Sequence, residues 1–136
     1  MRVFLDTNVL VSAFATRGMS ADVLRLVLAE HTLVTSEVVL TELSGVLVSK
    51  IGVAQARAGE IEAFLREHEV VPRPAEASAI AIRDEDDWWV LASALAGNAE
   101  VLVTGDRGLL DIAGEVAIRV LDPRGFWEYA RDSQAR

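Results

Sequence analysis

The 136-residue chain contains no cysteine, and that single absence removes disulfides, thiolate metal sites and cysteine nucleophiles together. Histidine occurs only at His31 and His68, which leaves too few imidazoles for a multi-histidine metal centre. Lysine occurs once, at Lys50. No apolar run approaches the roughly 18 residues that a membrane span requires. The opening MRVFLDTN reaches an acid at position 6, so no signal peptide and a cytosolic protein are expected. Basic residues are also in deficit: 13 Lys and Arg against 21 Asp and Glu give a formal charge of −8, which argues against a broad electropositive surface for nucleic acid. A bound cation can reverse charge locally, so a metal-bridged phosphate substrate stays open. Whatever chemistry the chain performs rests on carboxylates, hydroxyls and amides.

What is present is a large apolar fraction, 51% of residues. A chain of this size buries about two-thirds of its extended surface on folding, which suits one domain over residues 1–136. Short apolar runs at Arg2–Leu5, Thr32–Thr35, Ser78–Ile82, Glu100–Val103 and Ala117–Leu121 read as strands. Between them lie helical patterns. Ser20 is expected to cap a helix to Glu30, and Ser36 one to about Lys50. Val53–Glu69 is expected to be helical until Pro72 and Pro74 stop it. Asp84–Asp87 opens a helix that Gly97-Asn98 ends, a short helix lies near Leu109–Ile112, and Pro123 starts the last one. Alternating elements with uninterrupted apolar strands predict an α/β fold, a mostly parallel sheet between helical layers. Ligands in such folds gather beyond the carboxyl ends of the strands, where strand order reverses.

Acids stand at those ends. Asp6 follows the first strand in LDTN and Asp106 follows another in VTGD; each alone reads equally well as a helix cap. Glu42, with Val38, Val39 and Val46 as its helical neighbours, lies along the edge of an apolar stripe. Function and a snorkelling or salt-bridged side chain both explain it. In Asp84-Glu85-Asp86-Asp87, capping and the helix dipole account for most of the charge. Asp87 differs in sharing a helix face with Val90, Leu91 and Ala94. If Asp6, Glu42, Asp87 and Asp106 met, each pair at about 5 Å would repel by roughly 3 kcal/mol, and the six pairs by nearly 20 kcal/mol. That exceeds the stability of a typical domain, so such a cluster must hold protons or divalent cations. An all-oxygen donor set selects Mg²⁺ or Mn²⁺, and phosphodiester hydrolysis is the reaction it suits best.

FLDTNVLVSAF, TSEVVLTELSGVL, DEDDWWVLASAL and LVTGDRGLL, in that order and spacing, resemble the PIN-domain family over essentially the full length, most closely the bacterial toxin components related to VapC. The resemblance implies a parallel five-stranded sheet in a three-layer sandwich and a Mg²⁺- or Mn²⁺-dependent ribonuclease. Carried over by motif position, the catalytic and metal-binding acids would be Asp6, Glu42, Asp87 and Asp106, supported by Asn8 and Thr104. Asp84 or Asp86 could trade roles with Asp87. Gly108 stands where family members often carry a further acid, which puts a second metal in question. The resemblance also implies an RNA substrate, a homodimer and a small cognate antitoxin that blocks the site.

Other residues carry weaker readings. Trp88 and Trp89 could stack on bases but suit core or dimer contacts as well. His31 and His68 read as surface histidines. Arg17, Arg83 and Arg107 flank the site segments and could reach phosphates. Two other functions compete: a catalytically silent PIN-fold domain that binds protein, and a phosphatase or phosphoacceptor with Asp6 as nucleophile. The last fits poorly, because Asn8 stands where haloacid-type phosphatases have a second Asp, and a late lysine is lacking.

Overall fold

A computed structural model describes residues 1–73 and 85–134, with side chains described from 88 to 133 in the second stretch. Five strands form one parallel sheet in the order β3-β2-β1-β4-β5. They are β1 (Arg2–Leu5), β2 (Thr32–Ser36), β3 (Glu69–Val71), β4 (Val101–Val103) and β5 (Arg119–Leu121). The helices are α1 (Thr7–Ala15), α2 (Met19–Glu30), α3 (Glu37–Val46), α4 (Gln55–Leu65), α5 (Glu85–Ala96), α6 (Arg107–Asp111) and α7 (Pro123–Gln134).

Successive side chains of a strand point to opposite faces of the sheet. In β1, Val3, Phe4 and Leu5 are all fully buried, and so are Val101, Leu102 and Val103 of β4. Both faces of the central strands are therefore covered, as the uninterrupted apolar runs require. The result is an α/β/α sandwich with one contiguous cluster of buried apolar residues.

Several boundaries depart from the sequence expectations. α1 was not foreseen, although Asp6 caps it by accepting the Thr7 N–H. α2 starts one residue before Ser20, with Gly18 at the cap. α3 is capped by Ser36 as expected, but after Val46 the chain widens into a π-helical segment, Leu47–Ile51. Gly52 closes that segment at φ 82°, a left-handed conformation that suits glycine. The helix expected to reach Glu69 stops at Leu65, and Glu69–Val71 instead pairs with β2 as the edge strand. Strand pairing with Val34–Ser36 overrides the local helical pattern there. The strand expected at Ser78–Ile82 lies outside the described residues. β5 begins at Arg119, later than the expected Ala117. The short helix α6 begins earlier than expected, at Arg107, because Asp106 caps it.

His31 and His68 are half-buried rather than ordinary surface residues. His31 sits edge-on to Phe126, with its Nδ1 at 3.3 Å from the N-terminal ammonium, and His68 sits edge-on to Phe64.

Candidate acidic site at the strand ends

The chain crosses from one side of β1 to the other between β3 and β4, so strand order reverses between β1 and β4. The loops leaving those two strands diverge and open a crevice at their carboxyl ends. Leu5 pairs with Val103, which brings the next residues, Asp6 and Thr104, side by side. Backbone pairing extends one step further: the Asp6 N–H donates to the Val103 carbonyl at 2.9 Å.

The Asp6 side chain is almost fully buried, at 4% exposure. A buried carboxylate needs donors, and Asp6 has them. Its Oδ1 accepts the Thr7 N–H at 2.7 Å, while Oδ2 accepts from Thr104 Oγ1 at 2.7 Å and Asn8 Nδ2 at 3.1 Å. Thr104 Oγ1 in turn accepts the Asp106 N–H at 3.0 Å, and Asn8 Oδ1 accepts the Gly105 N–H at 2.9 Å. Asn8 and Thr104 thus tie the two strand ends into one network. Burial pushes the Asp6 carboxyl above its ordinary pKa and the charge of Asp106 adds to this; hydrogen bonds from Thr104, Thr7 and Asn8 oppose it.

Asp106 is half-buried and caps α6, its Oδ1 accepting the N–H groups of Gly108 at 2.7 Å and Leu109 at 3.3 Å. Capping uses one carboxylate oxygen, Oδ1. Both acids line a cavity of about 460 Å³ that Glu42 also lines. Glu42 is exposed and lines this cavity from α3. Asp87 lies in the first turn of α5, with its side chain outside the described residues, as do Asp86 and the whole of Asp84. Val90, one turn along α5, lines the cavity.

Among the described residues no three acids or histidines are grouped closely enough to hold a metal ion. The Asp6–Asp106 pair nevertheless fits a hard cation. Its donors are all oxygen, and Mg²⁺ commonly binds through one or two carboxylates with waters completing its shell.

Sequence reasoning missed the apolar wall opposite these acids. Val11 and Ala15 of α1, Val46, Ile51 and Val90 line the same cavity. The signal was available: an Asp cap followed by apolar residues at helical spacing, in DTNVLVSAF. Of the three arginines singled out, Arg17 and Arg107 are exposed and Arg83 lies outside the described residues. Arg73, not singled out, stacks over the half-buried Trp89 with its guanidinium carbon 4.3 Å from the ring centroid.

The fold is similar to those of several solved structures. VapBC2 from Rickettsia felis, solved bound to a DNA fragment from their promoter, matches at 23% identity and a TM-score of 0.63, over 90% of this chain and 98% of that one. VapBC-1 from nontypeable Haemophilus influenzae matches at 22% identity and a TM-score of 0.62, over 91% and 99%. A domain of a functionally unknown protein from Methanocaldococcus jannaschii matches at 20% identity and a TM-score of 0.58, over 89% of each chain. Comparison with curated proteins by sequence gave no match. A model of the PIN domain family matches residues 2–108, well over half of the sequence, and the chain belongs to that family.

Proposed function

We propose that this PIN domain is a metal-dependent endoribonuclease acting as the toxin of a toxin–antitoxin pair. The observation that carries this reading is the pairing of Asp6 and Asp106 at the reversal of strand order, facing one cavity that Glu42 also lines. A buried carboxylate beside a second acid is costly without a counter-cation. That cost supports a resident ion and fits poorly with a chain that merely retains the fold. Likeness to the VapBC structures supports the toxin assignment and a cognate antitoxin as partner.

In this reading Asp6 and Asp106 hold the principal Mg²⁺ or Mn²⁺. When bound, the ion would polarise a phosphoryl oxygen and offset charge on the leaving oxygen. Thr104, Asn8 and the Thr7 N–H hold Asp6 in place, so its carboxylate needs no reorganisation as charge develops. Glu42 and Asp87, the other two motif acids, would position a second ion or the attacking water. The apolar wall of Val11, Val46 and Ile51 offers an antitoxin segment a surface beside the acids. In the same reading residues 1–136 make up one domain, and two such chains would pair as a homodimer.

Cleavage of a defined RNA panel with and without Mn²⁺ tests the proposal, alongside a Mn²⁺ thermal shift. Metal-dependent cleavage, lost in Asp6→Asn, is the expected result. A protein that Mn²⁺ does not stabilise and that cleaves none of the RNAs would instead be the silent, protein-binding form of the fold.

A further inference from the structure

A second cavity, about 570 Å³ in volume, adjoins the acidic one and shares Glu42 and Val46 with it. Its other walls are Val38, Thr41, Lys50, Arg73 and Trp89. Three elements supply them: α3 with its π-helical extension, the segment leaving β3, and the start of α5. Because β3 is parallel to β1, Arg73 emerges at the same sheet edge as Asp6.

The charge here runs against that of the chain. Arg2, Arg25, Arg57, Arg66 and Arg124 are each neutralised by an acid. Lys50, the only lysine of a chain with net charge −8, makes no ion pair among the described residues, and neither do Arg17, Arg73, Arg107, Arg119 and Arg131; of these, Lys50 and Arg73 line one cavity together. Both are exposed. Arg73 is spread over the indole of Trp89, which leaves a flat, cationic platform beside a point charge. Guanidinium and aromatic planes stack nucleobases irrespective of sequence, and ammonium groups take phosphates. An acidic protein can bind a polyanion only where cations are gathered locally, and this cavity meets the acids at Glu42.

We propose that Lys50, Arg73 and Trp89 form a subsite for the single-stranded RNA flanking the cleaved bond, Lys50 meeting a phosphate and the Arg73–Trp89 stack meeting a base. The proposal rests on the nuclease reading above and adds to it where the substrate strand runs. It makes these residues binding and positioning groups rather than catalytic ones.

The test compares Lys50→Gln, Arg73→Gln and Trp89→Leu with the wild-type protein. Two measurements are made: cleavage kinetics on a single-stranded RNA with Mn²⁺, and anisotropy of the same labelled RNA with Ca²⁺. Arg57→Gln, which removes an ion-paired cation of α4, serves as the control. Each subsite variant should raise KM about tenfold with kcat within about twofold, on the usual scale of stacking and phosphate contacts. Lys50→Gln should also lower the slope of log affinity against log salt by about 0.7, the value for one phosphate on a single strand. The control should leave all of these unchanged. Lys50 is exposed, so its variant remains informative even if Trp89→Leu fails to fold. An unchanged Mn²⁺ thermal shift in Lys50→Gln would show that the acid pocket is intact.

A wild-type protein that cleaves RNA while the variants keep its KM, affinity and salt slope overturns the subsite and leaves the nuclease reading standing. A wild-type protein that neither binds nor cleaves RNA overturns both. Decaglutamate binding that depends on Lys50 and Arg73, with RNA affinity indifferent to them, overturns the subsite in favour of an acidic protein segment.

Discussion

Thr104 Oγ1 donates to Asp6 Oδ2 at 2.7 Å while accepting the Asp106 N–H at 3.0 Å. One hydroxyl thus sets both strand-end acids, although 98 residues separate Thr104 from Asp6. Thr104 is fully buried, so water cannot replace the bonds it makes.

Replacing it with valine keeps the shape and deletes both roles. Thr104→Val should cost about 1–3 kcal/mol, the usual range when buried partners lose a hydrogen bond. Urea denaturation of the metal-free protein measures this. The Mn²⁺ thermal shift should shrink as well, because Asp6 then keeps only the Thr7 and Asn8 donors.

Asp6→Asn should abolish RNA cleavage and most of the Mn²⁺ stabilisation while the protein remains folded. Two structural effects oppose each other. Removing the buried charge relieves desolvation and the repulsion from Asp106, but the new amide nitrogen must face either a backbone N–H or the Asn8 amide. The pH dependence isolates the charge. Because the folded Asp6 carboxyl titrates above its unfolded value, its contribution is fully present below the unfolded pKa. That contribution is lost as pH rises through the folded pKa. Metal-free Asp6→Asn should therefore lose less stability than wild type as pH climbs out of the acid range. Parallel stability–pH curves for the two proteins would contradict this.

His31 predicts the opposite slope. Burial first, and then the adjacent N-terminal ammonium, hold its pKa below 6.5, against weaker pulls from Glu30 and Glu100. A depressed histidine contributes stability that is present above the unfolded pKa and lost as pH falls through the folded one. Between pH 7.5 and pH 5 the wild-type protein should lose more stability than His31→Gln. The difference between the two denaturation series is the measurement, since it cancels the titration of other groups.

Gly97 tests the packing that holds α5 on the sheet. A Cβ there would lie 2.7 Å from Val71 Cγ2 and 2.8 Å from Val34 Cγ1, inside contact distance of two strands. Its carbonyl also accepts two hydrogen bonds from the Arg2 guanidinium. Gly97→Ala should cost about 1–3 kcal/mol, as overpacked cores generally do. A urea midpoint equal to that of wild type would mean that the valines move aside freely.

Local pattern carried the architecture because it is a local property. Uninterrupted apolar runs at β1 and β4 announce strands buried on both faces, and Ser36, Asp106 and Pro123 mark helix starts by their own side-chain chemistry. Where two local signals competed, the pattern misled. The helical pattern in the sequence runs up to Glu69, yet Glu69–Val71 forms a strand because β2 offers it a free edge. α1 is ambiguous in the local pattern because Asp6 reads as a turn as readily as a helix cap.

The sequence by itself determined that the chain would fold as a parallel α/β sandwich and that acids would stand at strand ends. Only the tertiary structure decided which strand ends are neighbours. The order β3-β2-β1-β4-β5 sets Asp6 against Thr104 and Asp106, and it brings Arg73 to the edge where Trp89 and Lys50 lie. The reason is physical: hydrogen-bond spacing and side-chain period are fixed within a few residues. Strand order instead depends on which faces bury one another across long loops, and no short stretch of sequence encodes that.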